Sequence, residues 1–220
     1  MRKVRVEKKI LFANEEFAAK NREFLAKYKI PCLNVISSPG SGKTTLLTKT
    51  IEGLKGKVRI GVIEGDIQTD IDAQRIRTTG APAVQINTEG ACHLTAAQVS
   101  SALDKLPVES LDLIFIENVG NLVCPSALDL GETVKIAVLS TPEGDDKPAK
   151  YPAIFARAKA VLINKIDLLS AGDFDIEKAR ADILKLNRDV TIFPVSAKTG
   201  AGLQQWSQWL TELVQKTKSA

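Results

Sequence analysis

Apolar and polar residues divide most of the chain into two alternating kinds of segment. Short apolar runs, typical of buried strands, occupy residues 31–37, 58–64, 83–86, 111–117, 134–140, 159–163 and 190–195. Segments with the apolar spacing of amphipathic helices occupy residues 10–29, 43–54, 70–79, 94–105, 174–187 and 202–216. This alternation predicts an α/β fold with a mostly parallel, helix-flanked sheet. Ligands of such sheets bind beyond the carboxyl ends of the strands, so the residues after each strand are functional candidates.

The first predicted strand leads into a loop of the phosphate-binding type. Ser37-Ser38-Pro39-Gly40-Ser41-Gly42-Lys43-Thr44-Thr45 follows the pattern G-x-x-x-x-G-K-[ST], with Ser37 where a glycine is usual. Glycines let the backbone turn its N–H groups toward a phosphate, and the dipole of the following helix attracts the same anion. The candidate nucleotide-binding residues are Gly40, Ser41, Gly42, Lys43, Thr44 and Thr45. Lys43 is also a candidate catalytic residue at the β- and γ-phosphates, and Thr44 is a candidate Mg²⁺ ligand.

A later strand ends in a motif of the guanine-reading type. Asn164-Lys165-Ile166-Asp167 follows one apolar run, and Ser196-Ala197-Lys198 follows the last one. Asp167 can accept hydrogen bonds from N1–H and the N2 amino group of guanine, and adenine has neither group. Asn164 would brace the loops, Lys165 would cover the base, and the loop of Ser196, Ala197 and Lys198 would contact the base carbonyl. A motif of four residues is weak alone, but with the phosphate loop upstream it predicts GTP as the nucleotide.

The segment Glu117-Asn118-Val119-Gly120 follows another predicted strand and has the form E-x-x-G. Glu117 would hold Mg²⁺, and Gly120 would direct its amide toward the γ-phosphate. Such a loop can rearrange when that phosphate leaves. Asn121 stands where many small GTPases have the glutamine that orients water, so slow intrinsic hydrolysis is expected.

A second acidic segment supplies the other Mg²⁺ candidates. Asp66 is favoured because it lies just past the end of a predicted strand, whereas Asp70 and Asp72 are weaker candidates. Asp70 is explained equally well as the N-cap of the following helix. The candidate catalytic residues are thus Lys43, Asp66 and Glu117, and the candidate Mg²⁺ ligands are Thr44, Asp66 and Glu117.

Three cysteines and one histidine limit the metal chemistry of one chain. Cys32 lies in the first predicted strand and is explained as a small buried hydrophobe. Cys92 and His93 precede a predicted helix, where a thiol is expected to have a lowered pKa. Sulfur with imidazole suits Zn²⁺ or Ni²⁺ better than Mg²⁺. An adjacent Cys-His pair is weak evidence by itself. Two or three ligands cannot close a four-coordinate site, although a twofold dimer could complete it.

Six segments of the chain carry a family resemblance when they are taken together. They are S-S-P-G-S-G-K-T-T-L (37–46), G-D-I-Q-T-D-I-D-A-Q-R-I (65–76), G-A-C-H-L (90–94), E-N-V-G-N-L-V-C-P (117–125), E-G-D-D-K-P-A-K-Y-P (143–152) and N-K-I-D-L-L (164–169). They resemble the HypB family, the hydrogenase nickel-incorporation (maturation) GTPases. The resemblance implies a SIMIBI-type P-loop NTPase fold, a nucleotide-dependent homodimer, and a nickel or zinc site at Cys92, His93 and Cys124. It also implies delivery of nickel to the hydrogenase large subunit, with a nickel-binding accessory protein as partner.

Other functions stay open at this point. A urease-type nickel accessory GTPase is the nearest alternative, and segment 143–152 speaks against it. A regulatory GTPase with a purely structural metal site is the alternative from another class. An ATPase is the third, and the guanine-reading motif disfavours it.

The distribution of charge and apolar residues limits the partners and the location. Residues 1–30 carry nine basic and four acidic residues, and the remaining 190 carry 21 and 22. A nearly neutral body argues against nucleic acid as a partner. No run of about 18 apolar residues is present, so we expect no membrane span and a cytoplasmic location. We predict an N-terminal helical arm (1–30) and a GTPase domain (31–220). The arm has no Cys or His, which excludes a nickel store there.

Overall fold

The computed structural model describes residues 3–66 and 70–220, with side chains from Phe12 onward. Within these residues, seven strands form one sheet in the order β3-β2-β4-β1-β5-β6-β7, and all neighbouring strands are parallel. The strands are β1 (Cys32–Ser37), β2 (Ile60–Asp66), β3 (Ala83–Asn87), β4 (Leu113–Glu117), β5 (Val134–Ser140), β6 (Ala158–Asn164) and β7 (Thr191–Pro194).

Helices connect the strands and cover both faces of the sheet. They are α1 (Lys3–Lys27), α2 (Lys43–Leu54), α3 (Ile71–Arg77), α4 (Ala96–Leu103), α5 (Cys124–Ala127), α6 (Lys147–Lys150), α7 (Pro152–Arg157), α8 (Ile176–Leu186) and α9 (Leu203–Ser219). None of these helices, over the residues described, is long and apolar enough to cross a bilayer.

The predicted α/β fold with a mostly parallel, helix-flanked sheet is confirmed, and each predicted apolar run overlaps one strand. Helix α1 begins at Lys3 rather than at residue 10, because Lys, Arg and Glu favour a helix even without apolar spacing. The short helices α5, α6 and α7 were not predicted, since elements of four to six residues carry too little pattern.

Alternate residues of the central strands supply two apolar layers, one on each face of the sheet. In β1, Leu33 and Val35 belong to the cluster that also contains residues of α2 and α9. Cys32, which precedes Leu33, and Ile36, which follows Val35, belong to the clusters on the other face. All four side chains are almost completely buried, so β1 is a central strand with no solvent-facing side.

The C-terminal helix α9 fixes the helix that follows the phosphate loop. Trp206 of α9 is 1% exposed and packs its ring against Phe115 and Phe193. Its Nε1 donates to Thr50 Oγ1 of α2 at 3.0 Å. The aromatic ring therefore joins α2, α9 and two strands in one contact region.

Helix α1 packs against α4. Leu25 is buried in the apolar cluster that includes residues of α4. The buried Asn21 donates from Nδ2 to Ala96 O at 2.8 Å and to Leu130 O at 2.9 Å. The division between an arm and a GTPase domain at residue 30 stays a prediction.

Candidate functional site

The carboxyl ends of β1, β2 and β4 border a cavity of about 370 Å³. The phosphate loop and the start of α2 form one wall, and the loop after β4 forms another. The residues that line it include Gly40, Gly42, Lys43, Thr44, Thr45, Glu64, Asp66, Asp72, Arg75, Glu117 and Gly120. The structure thus brings together the phosphate loop and both acidic segments that the sequence singled out.

The phosphate loop turns at two glycines in the left-handed region. Gly40 has a φ of 73° and Gly42 a φ of 92°, and α2 begins at the next residue, Lys43. A side chain at Gly42 would also meet Asn164 Nδ2 at 2.8 Å, so glycine is required there for space as well. Lys43 is buried, and its Nζ donates to Ser37 Oγ at 2.9 Å. The lysine is thereby held against the loop, at the edge of the cavity.

The loop after β6 contacts the phosphate loop directly. Asn164 donates from Nδ2 to Ser41 O at 2.9 Å, and its Oδ1 accepts from Ala197 N at 3.0 Å. Lys165, which has a positive φ of 63°, donates from Nζ to Gly40 O at 2.7 Å. Asn164 therefore braces the phosphate loop and the last loop, as the sequence predicted.

Asp167 lies beside the last of the three predicted loops. Its Oδ1 accepts from Ser196 Oγ at 2.6 Å. A second cavity, of about 540 Å³, is lined by Asn164, Lys165, Asp167, Ala197 and Lys198 together with residues of the phosphate loop. This cavity has the position expected for the base of a nucleotide whose phosphates lie on the phosphate loop.

Three carboxylates converge at the cavity between β2 and β4. One oxygen each of Glu64, Asp72 and Glu117 lies within 4.8 Å of the other two. Glu64 and Glu117 are register partners on adjacent parallel strands, so their side chains project on the same face. Thr44 Oγ1 donates to Glu117 Oε1 at 2.9 Å. The phosphate loop, β2 and β4 therefore contribute jointly to one acidic cluster.

Burial makes this cluster unfavourable without a cation. Glu64 is 1% exposed and Glu117 4%. Among the described groups, no N–H or hydroxyl donor reaches either carboxyl oxygen of Glu64 or Oε2 of Glu117, although the two carboxyl groups can hydrogen-bond to each other when Glu64 is protonated. Burial, and then the charge of Glu117, raises the pKa of Glu64 well above its usual range. Burial also raises the pKa of Glu117, although the hydrogen bond with Glu64, the charge of Lys43 and the hydrogen bond from Thr44 oppose that rise.

The three acidic candidates at and after the end of β2 have different positions in the structure. Asp66, the favoured candidate, is the last residue of β2 and lines the cavity, but it is not one of the three converging carboxylates. Asp72 is one of them, and Glu64 is a member that sequence reasoning missed. Asp70 occupies the N-cap position of α3 without a side-chain capping bond. The Mg²⁺ ligand set of Thr44, Asp66 and Glu117 stays a prediction.

Two cysteines and the histidine form a second cluster. One ligand atom each of Cys92, His93 and Cys124 lies within 4.8 Å of the others, and Cys92 Sγ is 3.4 Å from His93 Nδ1. The expected lowering of the Cys92 pKa is wrong. A hydrogen bond with the Cys124 thiol and then desolvation raise that pKa. Cys92 also lies outside the first turn of α4, which begins at Ala96. Cys32, by contrast, is fully buried, and burial raises the pKa of its thiol.

A parallel sheet with a phosphate loop after its central strand is the architecture of P-loop nucleotide-binding proteins. A likeness to the LAO/AO transport system kinase, at 16% identity and a TM-score of 0.56, supports the SIMIBI-type fold alone. The family model for the CobW/HypB/UreG nucleotide-binding domain matches residues 31–194.

Two relatives narrow this class. The hydrogenase maturation factor HypB of Escherichia coli K12 is 51% identical over 209 residues, which is 95% of this chain and 72% of that protein. The crystal structure of HypB from Helicobacter pylori in complex with nickel has a TM-score of 0.88 and 41% identity, and covers 93% of this chain and 96% of that one. This chain therefore belongs to the HypB family of hydrogenase maturation factors, and the resemblance drawn from its motifs is confirmed.

Proposed function

We propose that this chain is a GTP-hydrolysing metallochaperone that binds nickel, or zinc, and assists nickel insertion into nickel–iron hydrogenase. The observation that carries the proposal is the loop after β4. Glu117, at its start, faces the nucleotide cavity, and Cys124, seven residues later, approaches Cys92 and His93. Because one short loop contributes to both sites, loss of the γ-phosphate would change the arrangement of the metal ligands.

The nucleotide is proposed to bind to the phosphate loop, to the loop after β4 and to the loops after β6 and β7. Lys43 holds the β- and γ-phosphates, and Gly120 directs its amide at the γ-phosphate. A side chain at Gly120 would meet Pro39 Cα at 2.9 Å, so the two loops are in close contact. The remaining proposed contacts are Gly40, Ser41, Gly42, Thr44, Thr45, Asn164, Lys165, Asp167, Ser196, Ala197 and Lys198.

Asp167→Asn is expected to lower the affinity for GTP at least tenfold and to raise the affinity for xanthosine triphosphate. A carboxylate accepts from both N1–H and the N2 amino group of guanine, whereas an amide offers one acceptor and one donor. That donor matches the C2 carbonyl of xanthine. Competition of GTP, xanthosine triphosphate and ATP against a fluorescent guanine nucleotide measures the change.

The matched control is Asp173→Asn, because Asp173 is an exposed acid that follows the same motif by six residues. It should leave all three affinities unchanged. An Asp167→Asn protein that kept its preference for GTP would refute the assignment, and a wild-type preference for ATP would favour the ATPase alternative.

The acidic cluster fits a bound Mg²⁺. Hard cations take oxygen ligands, and the cluster offers buried carboxyl oxygens that no described donor reaches. Thr44, Glu117 and Asp66 are the proposed holders, with Glu64 and Asp72 beside them. When bound, Mg²⁺ would neutralise charge on the β- and γ-phosphates. Within the chain, Lys43 supplies the fixed positive charge, and the absence of a glutamine after Gly120 supports slow intrinsic hydrolysis.

The cargo metal is proposed to bind Cys92, His93 and Cys124. Cys124→Ser is expected to lower the affinity for Ni²⁺ at least about tenfold, since a hydroxyl replaces a soft ligand. Titration of the metal-free protein with Ni²⁺ and Zn²⁺, with GDP and with a non-hydrolysable GTP analogue, measures it. Cys32→Ser is the control, because Cys32 is buried in β1 and away from the cluster.

The outcomes of this titration also separate the alternatives. Full Ni²⁺ affinity in the Cys124→Ser protein would contradict the site. Metal affinity that is the same with GDP and with the GTP analogue would favour a regulatory GTPase with a structural metal site.

A nucleotide-dependent homodimer is proposed because three ligands in one chain leave a four-coordinate site incomplete. Val123, beside Cys124, is 58% exposed and offers an apolar surface next to that site. A nickel-binding accessory protein and the hydrogenase large subunit are the proposed partners. Relatives such as that of Escherichia coli are named hydrogenase maturation factors, and that of Helicobacter pylori a hydrogenase/urease maturation factor, so hydrogenase is the proposed destination. The cytoplasmic location and the absence of a nucleic-acid or membrane partner stay predictions.

A further inference from the structure

Two asparagines of the loop after β4 bond the segment that carries Cys92 and His93. Leu94 N donates to Asn118 Oδ1 at 3.3 Å, and Asn121 Nδ2 donates to Cys92 O at 3.4 Å. The two bonds lie on either side of His93 in sequence. The loop after β4 is therefore joined to the metal cluster by these hydrogen bonds as well as by Cys124, which follows it.

The first of these asparagines is a fixed attachment. Asn118 is 1% exposed, and its backbone N–H donates to Val35 O at 3.0 Å. Its Oδ1 also accepts from Val119 N at 3.0 Å, and its Nδ2 donates to Asn34 Oδ1 at 3.1 Å. A side chain held by this many buried partners keeps its place while the chain beyond it moves.

The second asparagine is held much less firmly. Asn121 is half-buried, its bond to Cys92 O is long, and its Oδ1 accepts from Val123 N at 2.8 Å within its own loop. It lies one residue after Gly120, which contacts the phosphate loop at Pro39. A rearrangement of Gly120 would therefore carry Asn121 with it and break or form the bond to Cys92.

We propose that Asn118 and Asn121 are positioning residues that couple the nucleotide to the metal cluster, Asn118 as a constant anchor of residues 92–94 and Asn121 as a contact that depends on the nucleotide. Loss of the Asn121 bond lets Cys92 shift relative to Cys124, while Leu94 stays attached to Asn118. This inference rests on the proposed function and names how the two sites of that function communicate.

The test measures a coupling factor, which is the ratio of the Ni²⁺ dissociation constants with GDP and with a GTP analogue. Linkage requires Ni²⁺ to change the relative affinity for the two nucleotides by the same factor, so each protein gives two independent readings. Typical factors are about 5- to 150-fold. For Asn121→Ala and Asn121→Asp we expect the factor to fall close to 1 in both readings, while Ni²⁺ still binds.

The two substitutions distinguish the contact of Asn121 with Cys92 O from its contact with Val123 N in the turn. Aspartate keeps the acceptor for Val123 N and removes the donor to Cys92 O, whereas alanine removes both. Asn187→Ala is the matched control. Asn187 likewise accepts from the backbone N–H two residues on, Asp189 N, and donates to a backbone carbonyl, Ala158 O, near the β7 end of the sheet. Its coupling factor should equal that of the wild type.

Three results would overturn the inference, and they are distinguishable from one another. Wild-type coupling that persists in both Asn121 variants overturns the role of Asn121 and leaves the proposed function intact. A wild-type factor of 1 with Ni²⁺ bound overturns the coupling itself and favours the regulatory GTPase with a structural metal site. A wild-type protein that binds no Ni²⁺ contradicts the proposed function.

Discussion

Glu64→Gln is expected to stabilise the metal-free protein and to weaken its Mg²⁺-dependent binding of nucleotide. Glu64 and Glu117 crowd two acidic groups into a buried space where their outer oxygens have no described donor. Replacement of the Glu64 carboxyl by an amide is expected to raise the free energy of unfolding by about 1–3 kcal/mol. The glutamine amide can donate toward Glu117 without the bound proton that the Glu64 carboxyl needs for the same hydrogen bond. Urea denaturation without Mg²⁺ measures this gain.

The same substitution removes a carboxylate beside the proposed Mg²⁺ site. We expect the Mg²⁺ concentration that half-saturates nucleotide binding to rise about 10–100-fold, as for other groups that support metal ligands. Asp72→Asn is the comparison, because Asp72 belongs to the same cluster but has a side chain 40% exposed. It should weaken Mg²⁺ binding with little gain in stability. A Glu64→Gln protein that is less stable without Mg²⁺ and binds Mg²⁺ as the wild type does would contradict this role.

Trp206→Ala is expected to lower the free energy of unfolding by about 3–5 kcal/mol. The substitution leaves a cavity where the indole packs against Phe115 and Phe193, and it removes the donor to Thr50. Because Thr50 lies on α2, the helix of the phosphate loop should also lose part of its support. Equilibrium urea unfolding measures the loss of stability. Nucleotide titration under native conditions measures whether the weaker support of α2 lowers the affinity for nucleotide.

Trp209→Ala on the same helix is the matched control. Trp209 stacks on Trp206 with ring centroids 5.4 Å apart, but it is only half-buried. Its loss should therefore cost clearly less than the loss of Trp206. Trp206→Phe should also cost less, because Thr50 Oγ1 keeps its bond to Leu46 O. Equal destabilisation by Trp206→Ala and Trp209→Ala would refute the central place given to Trp206.

The strands and the loops that bind phosphate and base could be predicted because each is local in sequence. A buried strand followed by glycines, Lys43 and Thr44 is recognisable without knowledge of the rest of the chain. Asn164 could likewise be assigned its bracing role, which its bonds to Ser41 O and Ala197 N match.

Glu64 could not be predicted because its role depends on which strands are neighbours. Within its own segment it is a polar residue near the end of an apolar run, with Asp66 nearer to the loop. The pairing of β2 with β4 brings Glu64 beside Glu117, although the two residues are 53 positions apart in sequence. An inward-facing acid in a central strand is the signal that could have found it.

The contacts of Asn121 and the environment of Cys92 were missed for a related reason. In sequence, Asn121 stands at the position of a glutamine that orients water, whereas in the structure its amide donates to Cys92 O. The pKa of Cys92 is raised by the Cys124 thiol, which is 32 positions away in sequence. Cys92 also lies outside the first turn of α4, because Thr95 caps that helix and it begins at Ala96. The apolar pattern predicts that a helix is present, but the residue at which it begins also depends on its side-chain cap.

Helix α1 has a consequence that its basic composition does not suggest. Asn14 accepts from Ala96 N and donates to Asp129 O, and Asn21 donates to Ala96 O and Leu130 O. Helix α1 thereby connects the segment that follows Cys92 and His93 with the segment that follows Cys124. A displacement of α1 would therefore act at the same time on the segment after His93 and on the segment after Cys124.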